Sequence, residues 1–211
     1  ISLSCRPHSG WYVAVGHSSG PNLELDTVKE LLGPLLASES IGCVGQNIKY
    51  DMTVLELAGM PVRGVVGDPM IASYLLDPGI RSRKLDALAE QLLGYRMKSF
   101  EDVAGKGKEQ VTFDLVDLDE ATFYSAEDAD VTLLIDNQLD GRIDKEDLGP
   151  LYRNVELPLI PVLARMEMAG VALDVPYLKT MSAGLETRLN ALESKAWELA
   201  GHEFNVNSTK Q

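Results

Sequence analysis

A change in apolar period constrains this chain more than any other feature. Two short β-type runs come first, Ile1 to Cys5 and Trp11 to Val15, joined by RPHSG, whose Pro, Ser and Gly suit a hairpin. From Asp26 the period becomes helical. Val28, Leu31, Leu32, Leu35 and Leu36 fall at i, i+3, i+4, i+7 and i+8, which predicts an amphipathic helix with Asp26 as its N-cap. The apolar run Ile41 to Val44 reads as a strand. Helices are predicted over Ile48 to Ala58, ended by Gly59 and Pro61, over Asp68 to Leu76, and around Leu85, Leu88, Ala89, Leu92 and Leu93. Strands alternating with helices behind a hairpin predict an α/β layer fold. A Gly and Lys loop at residues 105–108 precedes a long helix from Asp119 to Leu139. After Leu148 only helical patterns remain, 148–168 and 176–200, joined by GVALD. This loss of strand patterning predicts a domain boundary at Arg142 to Lys145.

With 211 residues and 45% apolar composition, the chain can bury one sizeable core. No apolar run approaches the ~18 residues of a membrane span, and no basic segment precedes an apolar one at the N-terminus. The expectation is a cytoplasmic, monomeric protein without membrane attachment. Cys5 and Cys43 lie in strand-like stretches and are expected to be free, buried thiols, while His8, His17 and His202 lack metal-ligand spacing. A formal charge of −13 excludes a broad basic face for nucleic acid, yet it suits a site that collects carboxylates around hard cations. The start at Ile1 and the stop at Gln211 read as the ends of a fragment.

Two stretches repeat one spacing. In GQNIKYD, Asn47 and Asp51 stand four residues apart just past the strand exit; in YSAED, Tyr124 and Asp128 do the same on a predicted helix. Residues at i and i+4 share a helix face, with Cβ atoms ~5–6 Å apart. Taken singly, Asn47 reads most simply as a cap, Asp51 as a solvated carboxylate and Tyr124 as a core aromatic. The ordered combination carries more information.

At that combination the sequence resembles the large fragment of bacterial DNA polymerase I (family A), with its 3′→5′ proofreading exonuclease of the DEDD type. GQNIKYD is similar to that family's second exonuclease motif and YSAEDADVT to its third. SFEDVAGKGKEQVTF resembles the loop between them; NVELPLIPVLARMEMAGVALD and HEFNVNSTKQ resemble the start of the polymerase domain. The resemblance implies a ribonuclease H-like three-layer exonuclease domain over residues 1–144, its first strand missing, and N-terminal helices of the polymerase domain over 145–211. It implies two-metal hydrolysis of 3′-terminal nucleotides of single-stranded DNA, with two Mg²⁺ or Mn²⁺ ions, in replication and repair. Asp128 and Asp51 would be the metal ligands, and the Tyr124 hydroxyl would orient the attacking water. Gln46, Asn47 and Lys49 would flank the terminal phosphate and sugar, and Phe100 would stack on the frayed end.

The family's first motif, an Asp-x-Glu, has no counterpart here. Glu24 and Asp26 lie at a helix start, and Asp144 to Asp147 at the predicted boundary, so the 211-residue chain is expected to be inactive by itself. Two alternatives stay open: a stand-alone 3′→5′ exoribonuclease of the same superfamily, and a catalytically decayed scaffold within a polymerase. Arg81, Arg83, Lys84, Arg96 and Lys98 form the densest basic cluster and could meet phosphates; Lys106 and Lys108 sit in a loop. Asp68, Asp117 and Asp119 read as N-caps.

Overall fold

The computed structural model describes residues 1–18 and 20–208. The end of HEFNVNSTKQ, residues 209–211, lies outside the described residues. Strands β1 (Ser2–Arg6) and β2 (Ser9–Tyr12) form the antiparallel hairpin, with Ser2 opposite Tyr12 and Leu3 opposite Trp11. The turn closes through His8 at φ 61°, so the strands sit slightly toward the turn from the expected runs. The hairpin lies on α6 (Leu118–Lys145). Gly10 makes this approach possible, because a Cβ there would fall 2.3 Å from the Ala126 carbonyl oxygen. Asp130 adds a bond, its Oδ1 accepting from the Ser9 N–H at 3.2 Å.

Helix α1 (Leu25–Leu36) begins one residue before the expected cap. Glu24 holds the N-cap position without a side-chain bond, and Asp26 lies inside the first turn, where a carboxylate favours the helix dipole. Strand β3 (Cys43–Val44) is shorter than the apolar run that predicted it and leads into α2 (Ile48–Leu57). It pairs in parallel with β4 (Val65–Gly67), Cys43 opposite Val65 and Val44 opposite Gly67. Three residues cannot display a period, so the two valines of β4 went unread as a strand. Helices α3 (Pro69–Leu76), α4 (Leu85–Leu93) and α5 (Phe100–Ala104) follow. Single turns of 3₁₀ helix then cover Gly107–Glu109 and Phe113–Leu115 ahead of α6. Asp117 caps α6 by accepting from the Asp119 and Glu120 N–H groups, so Asp119 is a first-turn residue rather than a second cap. Cys5 is exposed and Cys43 half-buried, against the expectation of two buried thiols. Cys5 sits near the hairpin turn, where no element covers it.

The chain forms two compact units, Ile1–Ala169 and Gly170–Gln211. The first continues past the predicted boundary through α7 (Gly149–Leu151), a π-helical turn (Tyr152–Glu156) and α8 (Leu157–Ala169). Pro158 has no N–H to give the Asn154 carbonyl, which accounts for the widened turn. The core explains the continuation. Val131, Ile135, Leu139 and Ile143 form a buried stripe along α6, and it joins Ile48 and Met52 of α2, Leu88 of α4, and Tyr152, Leu157 and Ile160 in one cluster. Each such burial contributes about 1.5–3 kcal/mol. The second unit holds α9 (Val175–Ala200), capped by Asp174 accepting from the Tyr177 N–H at 2.9 Å and ended by Gly201 at φ 75°. Among the described residues no helix is long and apolar enough to cross a membrane.

Candidate active site

Asn47 occupies the N-cap position of α2 in a left-handed conformation, φ 58° and ψ 48°, and its side chain makes no capping bond. Asp68 supplies the cap from a distance, accepting from the Asn47 and Ile48 N–H groups at 3.1 Å each. The Asn47 amide is therefore not consumed by capping. Asp51 sits one turn into α2 and is exposed. Even so, the protein around its carboxyl pushes it up to about 6, chiefly by burial and further by the Asp68 charge.

The other pair lies mid-way along α6. Burial pushes the Asp128 carboxyl up to about 7, Glu127 and Asp86 add to the rise, and hydrogen bonding with Tyr124 opposes it. Tyr124 is raised to about 12 by burial and by the Asp128 charge, so its phenol keeps its proton at neutral pH. Phe100 and Phe113 stand against the Tyr124 ring, at centroid distances of 6.3 and 5.9 Å, and stack on each other at 6.2 Å. Such contacts favour edge and offset geometries, which lock the ring plane. Phe100 opens α5 just after a Ser99–Asp102 capping box and remains exposed. The neighbouring acids hold this region in place. Glu127 accepts from the Tyr95 hydroxyl at 2.6 Å and the Lys98 N–H at 3.0 Å, fixing the approach to α5.

Thus Tyr124, Asp128 and Phe100 come together on one side, and Gln46, Asn47, Lys49 and Asp51 gather at the end of α2. Gln46 turns inward, its Nε2 donating to the Arg83 carbonyl at 2.7 Å while its Oε1 is buried without a partner. Lys49 is ion-paired with Glu167 of α8. Arg83 also serves the fold, donating to the Ile80 and Asp77 carbonyls and lying 4.8 Å from the Tyr74 ring centroid. Lys98 pairs with Glu120 and Lys106 with Glu101. Sequence reading missed Asp86 and Glu127, which raise Asp128, and Asp68, whose reach to α2 is not local. The i, i+1 position of Glu127 beside Asp128 was the only available signal.

Asp51 and Asp128 belong to none of the ion pairs among the described residues, and both are pushed up chiefly by burial, with neighbouring acidic charges adding to it. Hard oxygen donors in that state fit a divalent cation. They do not complete a set, since no three His, Cys, Asp or Glu side chains among the described residues are placed to hold an ion.

Known proteins resemble this chain in sequence and fold. The model of a 3′-5′ exonuclease family, that of the DNA polymerase A exonuclease domain, matches residues 1–144. The DNA polymerase I of Pseudomonas aeruginosa is 40% identical over all of this chain, and that of Rhizobium leguminosarum 44% identical over 85% of it. The chain spans 24% and 18% of their lengths. Among solved structures, the polymerase domain of Pol1 from M. smegmatis, in complex with DNA primer-template and dNTP, superposes with a TM-score of 0.68 at 26% identity. That match covers 90% of this chain and 30% of that one. Brucella melitensis NrnC, at 17% identity and a TM-score of 0.56 over 81% of this chain and 82% of its own, shares the fold. The mixed α/β unit that carries the Asn47–Asp51 and Tyr124–Asp128 pairs belongs to the 3′-5′ exonuclease family of the family A DNA polymerases.

Proposed function

We propose that residues 1–144 are the 3′→5′ proofreading exonuclease portion of a DNA polymerase I and that 145–211 begin its polymerase region. The substrate would be the single-stranded 3′ end of DNA. The observation that carries this is the α6 site: a protonated phenol hydrogen-bonded to a carboxylate that joins no ion pair among the described residues, beside an exposed aromatic ring. Asp128 and Asp51 would hold the divalent ions, which when bound supply charge to activate water and stabilise the leaving oxygen. The Tyr124 hydroxyl, kept protonated, orients the water by hydrogen bonding and does not act as a base. Phe100 offers a face on which a terminal base stacks, worth about 1–3 kcal/mol. Asn47, free of capping duty, presents its amide toward sugar or phosphate. The family match and whole-chain likeness to DNA polymerase I favour this over an exoribonuclease.

The test is digestion of a 5′-end-labelled single-stranded oligonucleotide. The polypeptide assayed is a longer one in which the family's Asp-x-Glu strand is joined ahead of Ile1, with the 211-residue chain beside it. The longer polypeptide should trim from the 3′ end with Mg²⁺ or Mn²⁺ and stop with chelator, while the 211-residue chain stays near background. Robust chelator-sensitive trimming by the 211-residue chain would overturn the assignment, because two carboxylates would then not be the limiting set.

A further inference from the structure

We infer that Tyr152 and Asp68 form a clamp that sets the position of the Asn47 to Asp51 end of α2. This makes Tyr152, which lies beyond the family match, a positioning residue for the site; the inference rests on the function proposed above. A left-handed backbone at a residue other than glycine must be held by its surroundings, and Asn47 has φ 58°. Asp68 holds it. Its Oδ1 accepts from Asn47 N–H at 3.1 Å, Met70 N–H at 2.9 Å and Ile71 N–H at 3.4 Å, and its Oδ2 accepts from Ile48 N–H at 3.1 Å. One carboxylate thus ties together the N-terminal ends of α2 and α3, both of which present unpaired N–H groups and partial positive charge.

Asp68 is itself fixed by Tyr152. The Asp68 N–H donates to the Tyr152 hydroxyl oxygen at 2.7 Å, and that hydroxyl donates to the Asp68 carbonyl at 3.3 Å, across 84 residues of sequence. Both residues are 1% exposed, so water cannot replace either bond. Tyr152 sits in the π-helical turn ahead of α8, and the Lys49–Glu167 ion pair ties the far end of α8 to the same helix. The ring of Tyr152 fills the core, and its hydroxyl has this duty alone. Phenylalanine would keep the packing and lose the clamp.

Amide hydrogen exchange on the 211-residue chain, with trimming kinetics on the longer polypeptide, tests this. Tyr152→Phe should speed exchange at Asn47 and Ile48 by about 5- to 10-fold, as expected for losing one buried hydrogen bond, with the α6 core amides unchanged. It should lower kcat by a similar factor with KM nearly unchanged. Asp68→Asn, which keeps the shape and one acceptor oxygen, should act in the same direction and more strongly, and serves if the first variant folds poorly. Unchanged exchange at Asn47 and Ile48, or equal acceleration throughout α6, would overturn the clamp. Faster exchange with unchanged kcat would overturn the positioning role. Absence of trimming in the unsubstituted polypeptide would count against the proposed function and leave the clamp to the exchange result.

Discussion

The end of α2 and the middle of α6 carry the same device, a polar residue and an aspartate one turn apart, and different physics holds each in place. On α6 the support is local and apolar. Tyr124 is braced by Phe100 and Phe113, and its backbone belongs to a 28-residue helix whose buried stripe runs along the same face as Tyr124 and Asp128. On α2 the pair sits at the first turn of a ten-residue helix, where N–H groups lack intrahelical partners, and support comes from Asp68 and Tyr152. A mid-helix site is rigid by construction of the helix, whereas a helix-end site needs a partner brought from elsewhere. The two halves should therefore respond differently to substitution.

Removing either carboxylate proposed to hold metal should have the largest effect and should not distinguish the halves. Asp128→Ala or Asp51→Ala in the longer polypeptide should lower trimming by at least about 10³-fold, since each ion needs its full oxygen set. Single-turnover digestion measures it. Asp68→Ala comes next and strikes the α2 half alone. It removes caps from two helices, each worth about 0.5–2 kcal/mol, so thermal unfolding should show a loss of about 1–4 kcal/mol. Tyr124→Phe strikes the α6 half and should cost about 10- to 100-fold in kcat with stability nearly unchanged, because it misplaces the water and leaves the ring packed.

The smallest effect concerns Asp136, on α6 one turn before Asp140 and against Gly67 of β4, where a Cβ would fall 2.4 Å from its Oδ1. Burial pushes its carboxyl up to about 7, with Asp140 and Asp68 adding to the rise. A raised folded-state value means the native chain holds the proton longer than the unfolded one. Stability from this group is therefore full below pH ~4 and is lost as pH climbs to about 7. Asp136→Asn should thus stabilise by about 1–2 kcal/mol at pH 8 and by nothing at pH 4, read by denaturant unfolding at both values.

Much of this was legible in the sequence where the physics is local. Helix periods, the Asp68 cap on α3 and both i, i+4 pairs depend on residues within a turn or two, and Gly and Pro marked most ends. What could not be read joins distant residues. Strand β4 is two valines and a glycine, extended by preference but too short to show a period, and its pairing with β3 is what makes it a strand. The second role of Asp68 required Ile48 to arrive beside it, and no local pattern singled out Tyr152, whose hydroxyl meets Asp68 across 84 residues. The compact unit outran the predicted boundary because patterning registers the loss of strands, while packing follows the apolar faces of α6 and α8. Gln46 carried a substrate role by resemblance, and its inward amide bond to Arg83 shows a use within the fold that composition could not signal.

The most direct test of the claim that both halves serve one metal-dependent site is a Mn²⁺ titration of the isotope-labelled 211-residue chain, following paramagnetic broadening of backbone amides. The two carboxylates should bind weakly, and signals around Asp51 and Asp128 should broaden together, at the same Mn²⁺ concentrations and before those of other acidic stretches. Broadening that begins around Asp140 and Asp144, or that reaches Asp128 and leaves Asp51 untouched at saturation, would contradict it.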